Sequence, residues 1–153
     1  SSKLEMDGLR ALLENQKLGK EIPEVKVVAD REDFWVVDKP AGVHSHPLSL
    51  FDENTITQWA FRKDPKLWKE FLEVQPTVTP HRLDSGTSGL LIVAKTQSAY
   101  RRFRKYFSEK KIHKIYHAWA WGNPNWEERE VKSAIRHAPG DLTRMVVDRT
   151  PGE

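Results

Sequence analysis

The sequence of 153 residues contains no cysteine. Disulfides, thiolate nucleophiles and cysteine-ligated zinc or iron–sulfur centres are therefore excluded for this stretch of chain. Any chemistry has to come from carboxylates, imidazoles, hydroxyls or amines.

Long apolar runs are absent as well. The longest, at residues 90 to 94, is far too short to cross a bilayer. The polar N-terminal stretch lacks the apolar core of a signal peptide. These absences predict a soluble cytoplasmic protein with no membrane partner. The formal net charge of +3 suits a nucleic-acid partner without requiring one.

The most distinctive stretch joins a polar loop, residues 80 to 89, to the apolar run that follows it. Pro80 and the two glycines of this loop favour a shaped turn. Arg82 and Asp84 are two positions apart, so in extended chain their side chains point the same way and the cation favours an ionised carboxylate. Asp84 is then a candidate nucleophile. From composition alone the simpler interpretation is favoured, in which Asp84 caps a turn and Arg82 is a solvated charge.

Hydrophobic periodicity predicts the surrounding elements. The N-terminal leucines indicate a short helix or arm, and Asp52 or Asn54 is expected to cap a helix that runs through Ile56. Helices are also predicted at 66–71 and 97–109. Strands are predicted at 25–29, 34–37, 90–94, 115–121, 131–135 and 145–147.

One helix has a strongly cationic face. The predicted helix at 97–109 turns Ala99, Phe103, Tyr106 and Phe107 inward, and its other face carries Arg101, Arg102, Arg104 and Lys105. Such a cluster can hold RNA phosphates in a salt-sensitive way. A solvated helix face with paired charges is nearly as good an explanation.

Three loop histidines, His44, His46 and His81, raise the question of a metal site. No acidic partner stands beside them at metal-site spacing, and loop histidines are more often solvated or hydrogen-bonded. We therefore predict no metal.

Three motifs in order resemble the RluA-like pseudouridine synthase family. They are Val36–Gly42 (VVDKPAG), His81–Gly89 (HRLDSGTSG) with its apolar strand, and Lys114–Gly122 (KIYHAWAWG). The resemblance implies an α+β fold with a mixed, largely antiparallel sheet and flanking helices. It implies isomerisation of uridine to pseudouridine in structured rRNA or tRNA, without a cofactor.

The resemblance also implies roles for individual residues. Asp84 is the catalytic carboxylate, acting at the sugar or at the ring; Arg82 fills the space of the flipped nucleotide; Tyr116 stacks on the base and helps to remove a proton. A core tyrosine is the alternative for Tyr116. The RNA-binding candidates are His81, Lys39, Arg101, Arg102, Arg104, Lys105 and Lys114.

The likeness extends over roughly residues 25 to 122. Residues 1–24, which precede the likeness, are expected to form an arm or short helix. The family's glycine-arginine-threonine-histidine pattern is not found, so we expect the catalytic domain at 25–153 to be C-terminally incomplete, and its activity alone is open. The oligomeric state is open too, with a monomer expected for a complete chain. Two competing functions remain: a non-catalytic RNA-binding fragment, and a hydrolase that pairs His81 with Asp84.

Overall fold

The computed structural model describes residues 7–8, 10–12, 14–15, 24–48, 52–71, 74–75 and 77–147. The chain divides into two compact units, residues 1–114 and 115–153, which we describe separately. Among the described residues, no helix has the length and apolar character needed to span a bilayer.

The first unit contains a three-stranded antiparallel sheet in the order β1-β2-β3. Strands β1 (Lys26–Asp30) and β2 (Phe34–Lys39) form the predicted hairpin, with a register shift between Val27 and Ala29. Strand β3 (Gly89–Ala94) pairs along the other side of β2. Gly89 begins β3 with a φ of 127°, a conformation in which a side chain would be strained.

Among its described residues from 52 onward, this unit also contains three helices: α1 (Ile56–Lys63), α2 (Lys66–Phe71) and α3 (Gln97–Ser108). The predicted cap of α1 is wrong, because Thr55 is the N-cap residue. The Thr55 hydroxyl accepts from the Gln58 amide, and the Gln58 side chain accepts from the Thr55 amide, which is a complete capping box. Asn54 instead adopts a φ of 65° and donates its side-chain amide to the Gly42 carbonyl.

The core lies between the sheet and these helices. Trp59 and Trp68 pack against it, as expected from their spacing. On α3, Ala99 is buried, while Phe103, Tyr106 and Phe107 are half-buried. The buried apolar side chains are Val25, Trp35, Val37, Val43, Ile56, Ala60, Phe61, Leu67, Phe71, Val78, Leu83, Leu91, Val93, Ala94 and Ala99.

The second unit contains an antiparallel pair, β4 (Ile135–Ala138) and β5 (Asp141–Val147). The strand predicted at 145–147 is confirmed as the end of β5. The strand predicted at 131–135 overlaps the observed strand β4 only at Ile135. The strand predicted at 115–121 is wrong. A strand needs a neighbour for its backbone hydrogen bonds, and residues 113–134 have none in the part of the chain described.

The predicted α+β class with a largely antiparallel sheet is confirmed. The described residues between 7 and 15 are helical, in agreement with a short N-terminal helix. Leu4, Leu9 and Leu13, on which that prediction partly rested, lie outside the described residues.

Candidate active site

Asp84 begins a turn in the second half of a segment that we call the Asp84 loop (residues 81–87). The turn is closed by the Asp84 carbonyl, which accepts from the Thr87 amide at 3.0 Å. The carboxylate takes no part in that closure, and its side chain is 85% exposed. The simpler interpretation, in which the Asp84 side chain caps the turn, is not what the geometry shows. The carboxylate is accessible to a substrate.

Arg82 lies on the same side as Asp84, as the spacing predicts. Its guanidinium is 3.9 Å from the Asp84 carboxylate, and the Arg82 side chain is 60% exposed. An exposed ion pair of this length contributes about 0–1 kcal/mol to stability. Arg82 is therefore free to change partner when a ligand arrives.

Lys39 lies beneath this loop, completely buried at the end of β2. Its ammonium donates to the carbonyls of Val43 at 2.6 Å, Pro40 at 3.1 Å and Ser85 at 3.3 Å. Burial lowers the pKa of Lys39, and the negative charge of Asp84 acts in the opposite direction. The side chain faces protein carbonyls, which favours support of the loop over direct contact with RNA.

Three further hydrogen bonds connect the loop to the segment after β2. The Ser45 hydroxyl accepts from the Leu83 amide at 2.9 Å and donates to the Leu83 carbonyl at 2.7 Å. The Gly42 amide donates to the Ser85 carbonyl at 2.7 Å. The backbone on both sides of Asp84 is thus held by groups that lie 38 to 46 residues earlier in the chain.

Sequence reasoning missed Ser45. The residue lies between His44 and His46, for which we discussed only the question of a metal site. Its signal was a small hydroxyl three residues after the Val36–Gly42 motif, in a segment that has to approach the loop if both motifs form one site. Side chains from the two segments line a small open pocket: His44, Ser45, His46, Leu48, Arg82, Leu83 and Ser85.

His81 begins the Asp84 loop and is half-buried. Its Nε2 accepts from the Ile92 amide at 3.0 Å, and its ring lies 4.3 Å from that of Phe107. Burial, with a smaller contribution from the positive charge of Lys114, lowers the pKa of His81 to about 4. Because Nε2 is bonded to β3 and Nδ1 is shielded from solvent, His81 is poorly placed to act as a base with Asp84. This geometry argues against the alternative function, a hydrolase that pairs His81 with Asp84.

The cationic face, defined as Arg101, Arg102, Arg104 and Lys105 on α3, is divided by its contacts. Arg102 donates to the Asp33 carboxylate at 2.9 Å, which lowers the pKa of Asp33. Lys105 lies 3.7 Å from Glu109. Arg101 and Arg104 are exposed and have no ion pair within the described residues. Lys114 places its ammonium 5.0 Å from the centre of the Phe107 ring.

Tyr116 belongs to the second unit, in a stretch that we call the Tyr116 segment (residues 115–121). Its side chain is 57% exposed, and Trp119 and Trp121 are fully exposed. The tyrosine is thus not held by a strand, and it is not a core residue of its unit. Its stacking role stays a prediction.

Comparison with known proteins gives consistent results. Residues 33–150 match the family model described as RNA pseudouridylate synthase. The dual-specificity RNA pseudouridine synthase RluA of Vibrio parahaemolyticus is 33% identical over 109 residues, which are 71% of this chain and 40% of the relative. The ribosomal large subunit pseudouridine synthase D of Xylella fastidiosa is 30% identical over 134 residues, 88% of this chain and 39% of the relative.

The chain thus spans about two fifths of the length of these curated relatives. Among solved structures, human RNA pseudouridylate synthase domain containing 1 is 23% identical with a TM-score of 0.43. That match covers 60% of this chain and 31% of the human protein.

Proposed function

Since the chain belongs to the RNA pseudouridylate synthase family, we propose that the protein carrying it isomerises uridine to pseudouridine in structured RNA, with Asp84 as the catalytic carboxylate. The observation that carries this assignment is an accessible carboxylate on a turn whose flanking backbone is held by buried groups. A group held in this way loses little freedom when it reacts, which lowers the entropic part of the barrier.

The reaction removes uracil from C1′ of its ribose, turns the ring and joins it again through carbon. Asp84 serves as nucleophile or base in this exchange. No atoms are added overall, so the proposed reaction needs no co-substrate, and the family resemblance implies no cofactor.

A uracil inside a helix is out of reach, so the nucleotide has to leave the stack at a cost of about a few kcal/mol. Arg82 fits the role of occupying the vacated space, because it is exposed and only loosely paired with Asp84. Tyr116 is assigned to stacking on the extruded base and to proton removal.

Lys39 and His81 are reassigned from RNA contact to support of the loop. Lys39 is fully buried among carbonyls, and the ring nitrogens of His81 are bonded to β3 or shielded from solvent. The side chains proposed to bind RNA phosphates are then Arg101, Arg104 and Lys114. Arg102 and Lys105 can also bind phosphates, in competition with their ion pairs to Asp33 and Glu109. The substrate we propose is rRNA or tRNA; the name of the Xylella relative, which refers to the large ribosomal subunit, supports rRNA.

A non-catalytic RNA-binding fragment is the second candidate, and one experiment separates the two. Asp84→Asn keeps the size of the side chain and removes its charge, so we expect RNA binding and melting temperature to stay unchanged while pseudouridine formation is lost. Asp38→Asn removes another exposed carboxylate, in β2, and is the matched control. Because pseudouridine and uridine have the same mass, the product is measured in RNA incubated with full-length protein by chromatographic separation of the nucleosides, or by mass spectrometry after derivatisation specific for pseudouridine. Equal product from Asp84→Asn and wild type would refute the assignment.

A further inference from the structure

His81 accepts a hydrogen bond from strand β3, and the proposed chemistry assigns no role to this contact. In the described sheet, β3 lies at an edge, because only its β2 side is paired with a strand. Backbone amides on the open side of such a strand need other acceptors. Two successive outward amides of β3 find them in Val78, which precedes the Asp84 loop, and in His81, which begins it.

The first of these acceptors is a backbone group and the second is a side chain. The Ala94 amide donates to the Val78 carbonyl at 2.8 Å. Two residues earlier on β3, the Ile92 amide donates to His81 Nε2 at 3.0 Å. The imidazole therefore occupies the position that the next carbonyl of a pairing strand would have. Because a side chain supplies this acceptor, the backbone of residue 81 does not have to continue along the edge of β3.

We propose that His81 is a positioning residue, whose neutral imidazole replaces a strand carbonyl on the open edge of β3 and fixes where the chain leaves the sheet to present Arg82 and Asp84. This inference rests on the proposed function for its catalytic consequence. The structural part, the imidazole acting as a ladder acceptor, stands on the contacts of β3 alone.

The arrangement requires one tautomer. A nitrogen that accepts from an amide carries no proton, so the proton of a neutral His81 lies on Nδ1. The surroundings maintain the neutral form: the ring packs 4.3 Å from Phe107, and the Lys114 ammonium disfavours a second positive charge nearby. Asp84, the next carboxylate along the chain, is exposed and pairs with Arg82.

Two variants distinguish an acceptor from a merely packed ring. His81→Phe keeps a ring against Phe107 and removes the acceptor, whereas His81→Gln supplies a neutral oxygen of similar reach. His137→Phe, at an exposed position of β4, controls for the substitution itself. The readouts are imidazole ¹⁵N shifts, hydrogen exchange of the Ile92 and Ala94 amides, and steady-state kinetics on RNA, all with full-length protein.

We expect ¹⁵N shifts of wild-type His81 typical of the Nδ1–H tautomer. In His81→Phe, Ile92 exchange should rise about tenfold with Ala94 nearly unchanged, because one hydrogen bond is lost. A loop displaced by about 1 Å should lower kcat about 10- to 100-fold with KM little changed. His81→Gln should restore both quantities to within about threefold of wild type, since the acceptor returns.

An Nε2–H tautomer, or equal kcat in the Phe and Gln variants, would overturn the inference. Wild-type protein that makes no pseudouridine would overturn the proposed function instead. In that case the tautomer and the Ile92 exchange rate still decide whether His81 holds the edge of β3.

Discussion

The Asp84 loop and the Tyr116 segment were both identified by sequence motifs, yet they differ in how many hydrogen bonds connect them to the rest of their units. Backbone groups of the loop are bonded to Lys39, Ser45 and Gly42, and the imidazole of His81 is bonded to β3. The Tyr116 segment forms no strand, and its tryptophans are fully exposed. Residue types thus indicate where chemistry is expected, whereas the rigidity of a site depends on distant partners.

The largest effect should come from removing the buried ammonium below the loop. Lys39→Met keeps most of the side-chain volume but leaves the carbonyls of Val43 and Pro40 without this donor, while the Ser85 carbonyl keeps only its bond from the Gly42 amide. We expect a loss of about 3 kcal/mol in the free energy of unfolding, from acceptors left unsatisfied at a buried or partly buried site. Chemical denaturation measures this value. Lys26→Met, at an exposed position of β1, should change it by less than about 0.5 kcal/mol, and an equally small change in Lys39→Met would break the comparison.

The pH dependence of stability should be nearly as large. The pKa of His81 is lowered from 6.5 to about 4, so the unfolded chain takes up this proton at a higher pH than the folded protein. The contribution to stability is complete above pH 6.5, declines as pH falls from 6.5 to 4, and is constant below that; at most it is about 3 kcal/mol.

Denaturation of wild type and His81→Gln across this pH range provides the test. The variant should lose less stability on acidification than wild type. Some dependence should remain in the variant, because burial lowers the pKa of His46 in the same direction. Identical pH profiles would show that His81 is not held in its neutral form.

Removing the Ser45 hydroxyl should have an intermediate effect. Ser45→Ala leaves both backbone groups of Leu83 without their partner in a buried site. We expect a loss of about 2 kcal/mol, measured by thermal or chemical unfolding. Ser88→Ala, at an exposed position just beyond the loop, is the matched control. Equal stability of the two variants would mean that Ser45 does not hold the loop.

The Tyr116 segment should respond in the opposite way. Because Tyr116 is exposed, Tyr116→Phe should leave the free energy of unfolding within about 0.5 kcal/mol of wild type. Turnover on RNA should fall with the loss of the hydroxyl, and Tyr116→Ala should also lose stacking on the base. Equal turnover for Tyr116→Phe and wild type would show that the hydroxyl has no chemical role. The stacking role of the ring would remain a valid prediction.

The smallest effect concerns the cationic face. Arg101→Ala combined with Arg104→Ala should weaken RNA binding and reduce the magnitude of its slope in log[salt] by about 1 to 2, since two phosphate contacts are lost. Arg102→Ala should mainly reduce stability, because it breaks the pair with Asp33. An unchanged slope in the double variant would indicate a solvated helix face.

Much of the fold was predictable, because its signals are local. The β1–β2 hairpin, β3, α2 and α3 follow their patterns, and the predicted RluA-like membership is confirmed by the family match. The cap of α1 was misassigned because three neighbouring residues, Asp52, Asn54 and Thr55, all fit the N-cap preference. Only the reciprocal bond with Gln58 separates them.

The candidate site was predictable only in part. The spacing of Arg82 and Asp84 placed them together correctly. The burial of Lys39 and the hydrogen bonds of Ser45 were not predictable. Both depend on contacts between segments that lie about forty positions apart in the sequence. For residues 115–121, alternation predicted a strand without revealing whether a neighbour would pair with it.

The central claim is that the Asp84 loop is held in place before RNA binds, whereas the Tyr116 segment is not. Amide hydrogen exchange of the RNA-free protein tests it directly. We predict exchange at the Leu83, Thr87 and Ile92 amides slowed by at least about 100-fold relative to unstructured chain, since each is bonded in a folded unit. The amides of residues 115–121 should exchange at nearly unstructured rates. Equal protection of the two regions, or rapid exchange at Leu83 and Ile92, would contradict the account.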